Sequence, residues 1–314
     1  MRSDVSNIAL ILLCMLAGVL LRKSGRLPPD APKALNAVVT FVSLPALVLL
    51  KVPPALAAAS LDRDVLAPIS MAWLSFALAF LVLRWLGARL GWTPATTGAL
   101  VLTVGLGNTS FVGYPLLTWL LGPEALPVGI LADQPGSFLV LSTVAVAAAA
   151  SFGGKRVQFA SIARQVVAFP PFLALLAAFV WAISGAPRPA GIGDLLEKLA
   201  STLVPLALVS VGASLSIQRQ VLRRRLALVG LGLALKLVVM PALFLGLYGY
   251  ALGMRGLAGR VTILESAMAP MITSAVLVAE FGLDEELAGL LIGIGVPLSI
   301  VTVAAWNAAL GWLL

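Results

Sequence analysis

Apolar residues in this chain run in long stretches, each ended by a short polar or charged segment. Val5 to Leu21 carries no charge and is followed at once by Arg22 and Lys23. Further apolar stretches fall at about 34–50, 65–83, 95–121, 125–150, 165–185, 199–217, 226–250, 259–279 and 287–313. Each approaches the roughly 20 residues that cross a hydrocarbon layer as a helix. The pattern therefore predicts ten membrane helices. The first reads as a span and not a cleaved leader, because no small-residue cleavage pattern precedes Arg22.

Composition agrees with this reading. Of 314 residues, 61% are hydrophobic and only 11% charged, against about 25% charged in soluble domains. A globule of this size would lack the charged side chains to cover it, so its solvent is lipid. The net charge of +8 would point to nucleic acid in a soluble chain. Here the cations sit between apolar runs and set topology instead. The odd-numbered loops hold Arg22, Lys23, Arg26, Lys33, Arg84, Arg89, Lys155, Arg156, Arg164, Arg219, Arg223, Arg224 and Arg225, 13 in all. The N-terminus and even loops hold 7: Arg2, Lys51, Arg63, Arg188, Lys198, Arg255 and Arg260. The expectation is a multi-pass protein of the cell (inner) membrane with both termini outside. With no His and a single Cys14, a disulfide framework, a Cys/His zinc site and a His-based triad are excluded.

Helix breakers recur at a nearly constant offset. Pro45 in the second span matches Pro205 in the seventh, 160 residues on. Ser110 lies five residues before Pro115 in the fourth span, and Glu265 five before Pro270 in the ninth, both offset by 155. An odd number of helices between copies inverts the second in the membrane, which is the inverted-repeat pattern of secondary transporters. The expected fold class is an all-α membrane protein, a five-plus-five inverted repeat with residues 1–150 as one half and 151–314 as the other.

The fourth span contains Gly105-Leu106-Gly107-Asn108-Thr109-Ser110-Phe111-Val112-Gly113-Tyr114-Pro115. Pro115 removes a backbone donor, at about 3 kcal/mol or more in a helix interior, and the glycines let the chain unwind. Unwound backbone at membrane depth survives only against protein or a watery cavity. Helix four is therefore expected to be discontinuous. Helix nine repeats the signal in Glu265-Ser266-Ala267-Met268-Ala269-Pro270-Met271-Ile272-Thr273-Ser274. The half-helix after each break offers free N–H groups to an anion, and the opposite end offers carbonyls to a cation. Asn108, Thr109, Ser110, Tyr114 and Pro115 are candidate substrate-binding residues, with Met268, Pro270, Thr273 and Ser274 facing them.

Ionisable residues inside the spans are Asp133, beside Gln134, then Lys236 and Glu265. Unpaired, three such charges would cost about 8 to 10 kcal/mol on an insertion scale, so they face a cavity or one another. Asp133, Gln134 and Glu265 are candidates for the coupling ion, a proton, or sodium held by Asn108, Asp133 and Glu265. Lys236 is a candidate counter-charge for substrate or an ion-pair partner of Asp133. Glu280, Asp284, Glu285 and Glu286 lie at a span end and read as solvated. Trp92, Trp119, Trp181 and Trp312 fall near span ends, as interfacial belts do. Arg223, Arg224 and Arg225 lack interleaved aromatics, so headgroup contact or topology control fits better than RNA. No phosphate-binding fingerprint and no activated Ser or Cys supports an enzyme, and no cofactor is called for beyond the coupling ion.

Several stretches resemble the auxin efflux carrier family, which includes bacterial malonate and malate carriers and plant auxin carriers. They are Gly18 to Lys23, Ala34-Leu35-Asn36 leading to Leu44-Pro45-Ala46-Leu47, Gly107 to Pro115, Pro205-Leu206-Ala207-Leu208 with Gly212-Ala213-Ser214-Leu215, and Glu265 to Pro270. The resemblance implies a scaffold of helices one, two, six and seven and a transport domain of three to five and eight to ten. It also implies substrate binding where helices four and nine cross, elevator-like movement, and a fold shared with sodium-coupled bile-acid carriers. The chain departs from the plant carriers in having no Asn-Pro pair at either break: Asn108 and Pro115 are separated, and Ala269 precedes Pro270. The function expected is symport of small organic anions, mono- or dicarboxylates. A carrier of bulkier bile-acid-type anions and a non-transporting receptor are the alternatives. The partners expected are the anion and the lipid bilayer, with a homodimer as candidate assembly and no nucleic acid.

Overall fold

The structure, a computed structural model, describes residues 2–57, 62–154, 166–187, 189, 191–215 and 219–314. Lys155, Arg156, Arg164 and Arg188, used above for topology, lie outside the described residues, as do positions 165, 216 and 217 at the edges of two apolar stretches. Among the described residues there is no strand, and helices cover the apolar stretches read from the sequence.

The chain opens with α1 (Arg2–Lys23), followed by α2 (Ala31–Val38), a π-helical turn Val39–Ser43 and α3 (Leu44–Ala57). Next come α4 (Arg63–Leu90), α5 (Pro94–Gly105), a π turn Thr109–Gly113, α6 (Tyr114–Leu121) and a 3-10 turn Pro123–Ala125. Then α7 (Leu126–Leu131), π turns Ala132–Phe138 and Leu141–Ala145, and α8 (Val146–Gly153) form one continuous stretch. The second half holds α9 (Pro170–Ser184), α10 (Ile192–Ser201), α11 (Leu203–Ser214) and α12 (Arg219–Ala234). It continues with π turn Leu235–Val239, α13 (Met240–Phe244), π turn Leu245–Ala251, α14 (Leu257–Ser266), α15 (Ser274–Glu280) and α16 (Glu285–Leu313).

Among the described residues, six stretches are long and apolar enough to cross a membrane: Ala31–Ala55, Arg63–Leu90, Pro123–Gly153, Ile192–Ser214, Gln220–Ala251 and Glu285–Leu313. Shorter apolar helices are Pro94–Gly105, Thr109–Leu121 and Pro170–Ser184. Local chemistry sets the ends. Thr93 caps α5 by accepting from Thr96 N–H at 3.1 Å, with Pro94 following at the first helical position, where its missing N–H costs nothing. Asp284 caps α16, accepting from Leu287 N–H at 3.1 Å. Asp284 also takes Thr96 Oγ1 at 3.0 Å and pairs with Arg225 at 3.2 Å. The solvated reading of this residue is corrected: the start of α16 reaches α5 and α12, and each offers it a donor.

Two packing groups emerge. α1 lies along α11, and α3 along α9 and α10. At the first contact the backbones nearly touch: a Cβ on Gly18 would meet the Val209 carbonyl, and one on Gly212 would meet Met15 backbone. The other group is built on α4, which packs against α5, the Ala132–Phe138 turn and α14. Its interior is apolar, with Leu83, Leu100, Leu102 and Leu291 fully buried. Outward faces are apolar too. Leu13 is 64% exposed on α1, Val180 69% and Ile183 84% on α9, and Val301 66% on α16. Water would penalise such faces; lipid does not.

Candidate functional site

The glycine, proline and polar run after α5 breaks the helix where the sequence puts the disruption. α5 stops at Gly105 and helical geometry resumes at Thr109. The second break follows Ser266, and residues 267–273 are non-helical until α15. The two gaps meet. Asn108 N–H donates to Ala269 O at 2.8 Å, and Met271 N–H donates to Leu106 O at 3.0 Å. These bonds pair Gly107 with Pro270 in an isolated antiparallel bridge. Each break thus supplies the partners that the other lost, which is how unwound backbone is kept at membrane depth.

Buried polar groups converge on this crossing. Asp133, only 3% exposed, sits in the π turn Ala132–Phe138. Its carboxylate accepts from Thr109 Oγ1, from Tyr114 OH at 3.0 Å and from Gln134 Nε2. Ser110 lines the same cavity wall as this carboxylate. Asn108 does something else: its Oδ1 caps the turn by accepting from Val112 N–H at 3.3 Å, while its Nδ2 is buried without a partner among the described residues. Glu265 is fully buried, and neither carboxylate oxygen has a hydrogen-bond partner among the described residues. It fits because its neighbours are glycines: a Cβ on Gly113 would lie 2.8 Å from Oε2, and one on Gly129 3.3 Å from Oε1.

Lys236 is 1% exposed, in the π turn Leu235–Val239. Of the alternatives left open for Lys236, an ion pair with Asp133 does not form: the two line different spaces. The ammonium lies 3.2 Å from where a Gly107 Cβ would stand, in the narrow space that Glu265 also lines. Asp133 is already supplied with donors, whereas Glu265 has none. Trp306 Nε1 donates to Leu237 O at 2.9 Å, satisfying a carbonyl of that turn.

Two spaces flank the crossing. The larger, of about 420 Å³, is walled by Ser110, Phe111, Asp133, Gln134, Met271 and Thr273, and by Lys33, Asn36, Thr40 and Phe41 of α2 and its π turn. The narrower space holds Thr109, Lys236 and Glu265 with Ser75 and Ser137. The two share no wall residue. Of the substrate-binding candidates, Ser110 and Thr273 line the large cavity, and Thr109 and Tyr114 reach it through Asp133. Asn108, Pro115, Met268, Pro270 and Ser274 are buried off its wall. Met268 packs in the core, Pro270 lies against Gly295, and Ser274 Oγ donates to Met271 O at 2.6 Å.

Sequence reasoning missed Lys33, Asn36 and Thr40 as wall residues. Their signal was present, since positions 33, 36, 37, 40, 41 and 44 all line the cavity and recur at the spacing of one helix face. Among the described residues, the buried side-chain oxygens left without a hydrogen-bond partner are both Glu265 oxygens, Gln134 Oε1 and Ser75 Oγ. Asp133 and Asn108 Oδ1 are taken by donors. No cluster of three His, Cys, Asp or Glu ligands occurs among the described residues.

A family described as membrane transport proteins matches residues 5–307. The chain belongs to this family, which is of the auxin efflux carrier type. An uncharacterized transporter of Methanothermobacter thermautotrophicus is 30% identical over 303 residues, 96% of each chain. Another, from Methanocaldococcus jannaschii, is 25% identical over 311 residues, covering 98% of this chain and 97% of its own. The protein is a membrane transporter, and its helices work in a lipid bilayer.

Proposed function

We propose that this transporter is a secondary carrier of small organic anions, mono- or dicarboxylates, working by elevator-like alternating access. The observation that carries the reading is the backbone-paired crossing at Gly107 and Pro270, with a cavity of about 420 Å³ beside it. Interrupted helices meeting there leave peptide dipoles and buried polar side chains facing a small guest. In this reading Ser110 and Thr273 receive the anion. Asp133, Gln134 and Glu265 hold the driving ion.

The ten spans form an inverted repeat divided near residue 150. The scaffold is helices one, two, six and seven, a division supported by the packing of α1 on α11 and of α3 on α9. The rest moves. With both termini outside the cell membrane, the start of α2 faces the cytoplasm, so the cavity opens inward. A homodimer joined through the scaffold would keep the moving groups apart.

The test is uptake of labelled mono- and dicarboxylates into proteoliposomes under imposed proton or sodium gradients. Asn108→Ala serves as control, since it removes a turn cap worth about 1 kcal/mol while sparing the main-chain bridge. Gradient-driven flux that the variant loses is the expected result. No gradient-sensitive flux of any anion removes the proposal.

A further inference from the structure

We infer that the start of α12 holds the headgroup of a zwitterionic phospholipid with a primary ammonium, phosphatidylethanolamine, in a cleft separate from the helix crossing. The cleft, of about 400 Å³, is walled by Gln220, Val221, Arg224 and Arg225 of α12 and by Glu286 of α16. A water molecule takes about 30 Å³ of liquid, so there is room for a headgroup. None of these residues borders either space at the crossing, and the inference stands or falls apart from the reading of transport.

The charges of the wall describe the guest. Arg225 is committed to Asp284 at 3.2 Å, and Asp284 in turn accepts from Thr96 Oγ1 of α5. Arg224 and Glu286 are exposed, and among the described residues neither has an ion-pair partner, although both line this one cleft. Opposite charges that share a space without meeting leave room for a molecule that carries both. The cationic side is reinforced by the helix itself. The first turn of α12 has no acid, and Arg223, Arg224 and Arg225 follow it, so cations crowd the positive end of a dipole until an anion joins them. The start of α16 is the acidic side, with Glu285 and Glu286 in its first turn.

A phosphodiester accepts hydrogen bonds from arginine forks, and the ammonium of the same headgroup donates to Glu286. A purely anionic headgroup would meet Glu286 with like charge. The quaternary nitrogen of choline has no N–H to give. Depth and surroundings commit the site to a lipid and not to a free phosphoester. The apolar spans Gln220–Ala251 and Glu285–Leu313 both begin at this cleft, which sets it at the level of headgroups. From Arg223 the same side of α12 continues into the hydrocarbon with Ala227, Gly230 and Ala234, all exposed, at the three- and four-residue spacing of one helix face. Leu226 beside them is 62% exposed, and a Cβ on Gly230 would meet nothing within 4 Å, so an acyl chain has an open track below its headgroup.

The experiment is native mass spectrometry of the full chain in dodecyl maltoside micelles. Palmitoyl-oleoyl phosphatidylethanolamine, phosphatidylglycerol or phosphatidylcholine is added at equal mole fraction. The wild type should bind phosphatidylethanolamine with a Kd about tenfold below that of either other lipid, the worth of one charge-assisted contact. Arg224→Gln should raise that Kd about tenfold. Glu286→Gln should do the same while tightening phosphatidylglycerol, so that the preference disappears. Both side chains are exposed, so neither change disturbs packing. Arg89→Gln, at an exposed cation of another odd-numbered loop, should leave every affinity unchanged. Phosphatidylglycerol held by the wild type as tightly as phosphatidylethanolamine overturns the proposal. So does an Arg89→Gln loss equal to that of Arg224→Gln, which is what diffuse attraction to a basic surface would give, and so does unchanged binding in both cleft variants. Displacement of the lipid by soluble phosphoethanolamine at matching concentration overturns the lipid as the source of the headgroup.

Discussion

Glu265 owes its place to two missing side chains, and that dependence is measurable. Alanine at Gly113 would put a methyl carbon 2.8 Å from Oε2 and 3.0 Å from Oε1, inside the van der Waals contact of carbon and oxygen. The carboxylate has little freedom to retreat, because Gly129 closes its other side at 3.3 Å and the residue is fully buried. No hydrogen bond is lost when it moves, so the penalty is overpacking, about 1 to 3 kcal/mol. That is roughly a 5- to 150-fold fall in the folded-to-unfolded ratio. The assay is equilibrium unfolding in mixed micelles at rising dodecyl sulfate fraction, followed by the fluorescence of the seven tryptophans. Glu265→Ala removes the obstructing group, so the double variant should recover most of the loss due to the first change. The cycle should return a coupling of about 1 kcal/mol or more. Effects that simply add, within about 0.3 to 0.5 kcal/mol, would mean that Gly113 does not make room for this carboxylate, and the packing account would fall.

Three other outcomes are expected. Gly212→Ala drives a methyl group into the backbone of α1 at Met15 and should cost about 3 kcal/mol in the same unfolding assay. Gly230→Ala, which meets nothing within 4 Å, should stabilise by up to about 1 kcal/mol; equal effects at the two sites would contradict the close α1–α11 contact. Asp133→Asn preserves shape but removes the charge gathered by Thr109, Tyr114 and Gln134. Flux through it should stop responding to imposed gradients, and an unaltered response would reject Asp133 as the coupling group. Asp284→Ala removes a helix cap and a Thr96 bond together, about 1 kcal/mol each. Arg225→Gln breaks a half-exposed pair worth about 1 kcal/mol at most, so the aspartate variant should unfold first.

The helix breaks were legible because their chemistry is local. Gly105, Gly107 and Pro115 disfavour a continuous helix whatever surrounds them, and the same holds for the Ala269-Pro270 stretch. Their pairing was not legible, since nothing in either segment specifies that Asn108 N–H finds Ala269 O. The wide turns at Thr109–Gly113, Ala132–Phe138 and Leu235–Val239 were invisible for a related reason. They are set by hydrogen-bond register and not by residue type, yet they present Thr109, Asp133 and Lys236 to the crossing, as such bulges often do at functional sites. Lys236 was visible as a buried cation, but that it shares a space with Glu265 and not with Asp133 is set by how distant helices pack. Lys33 was counted among the topology charges, a part it can play together with a place in the cavity wall.

The joint between the two broken helices is made of peptide groups alone. Leu106 and Ala269 contribute carbonyls there and Asn108 and Met271 amides, so the two bonds themselves call for no particular side chain. A weld written in main chain does not depend on the chemistry of the cavity wall beside it. Lineages could therefore reshape what such a carrier accepts by altering the flanking walls, without having to rebuild the junction on which every version turns.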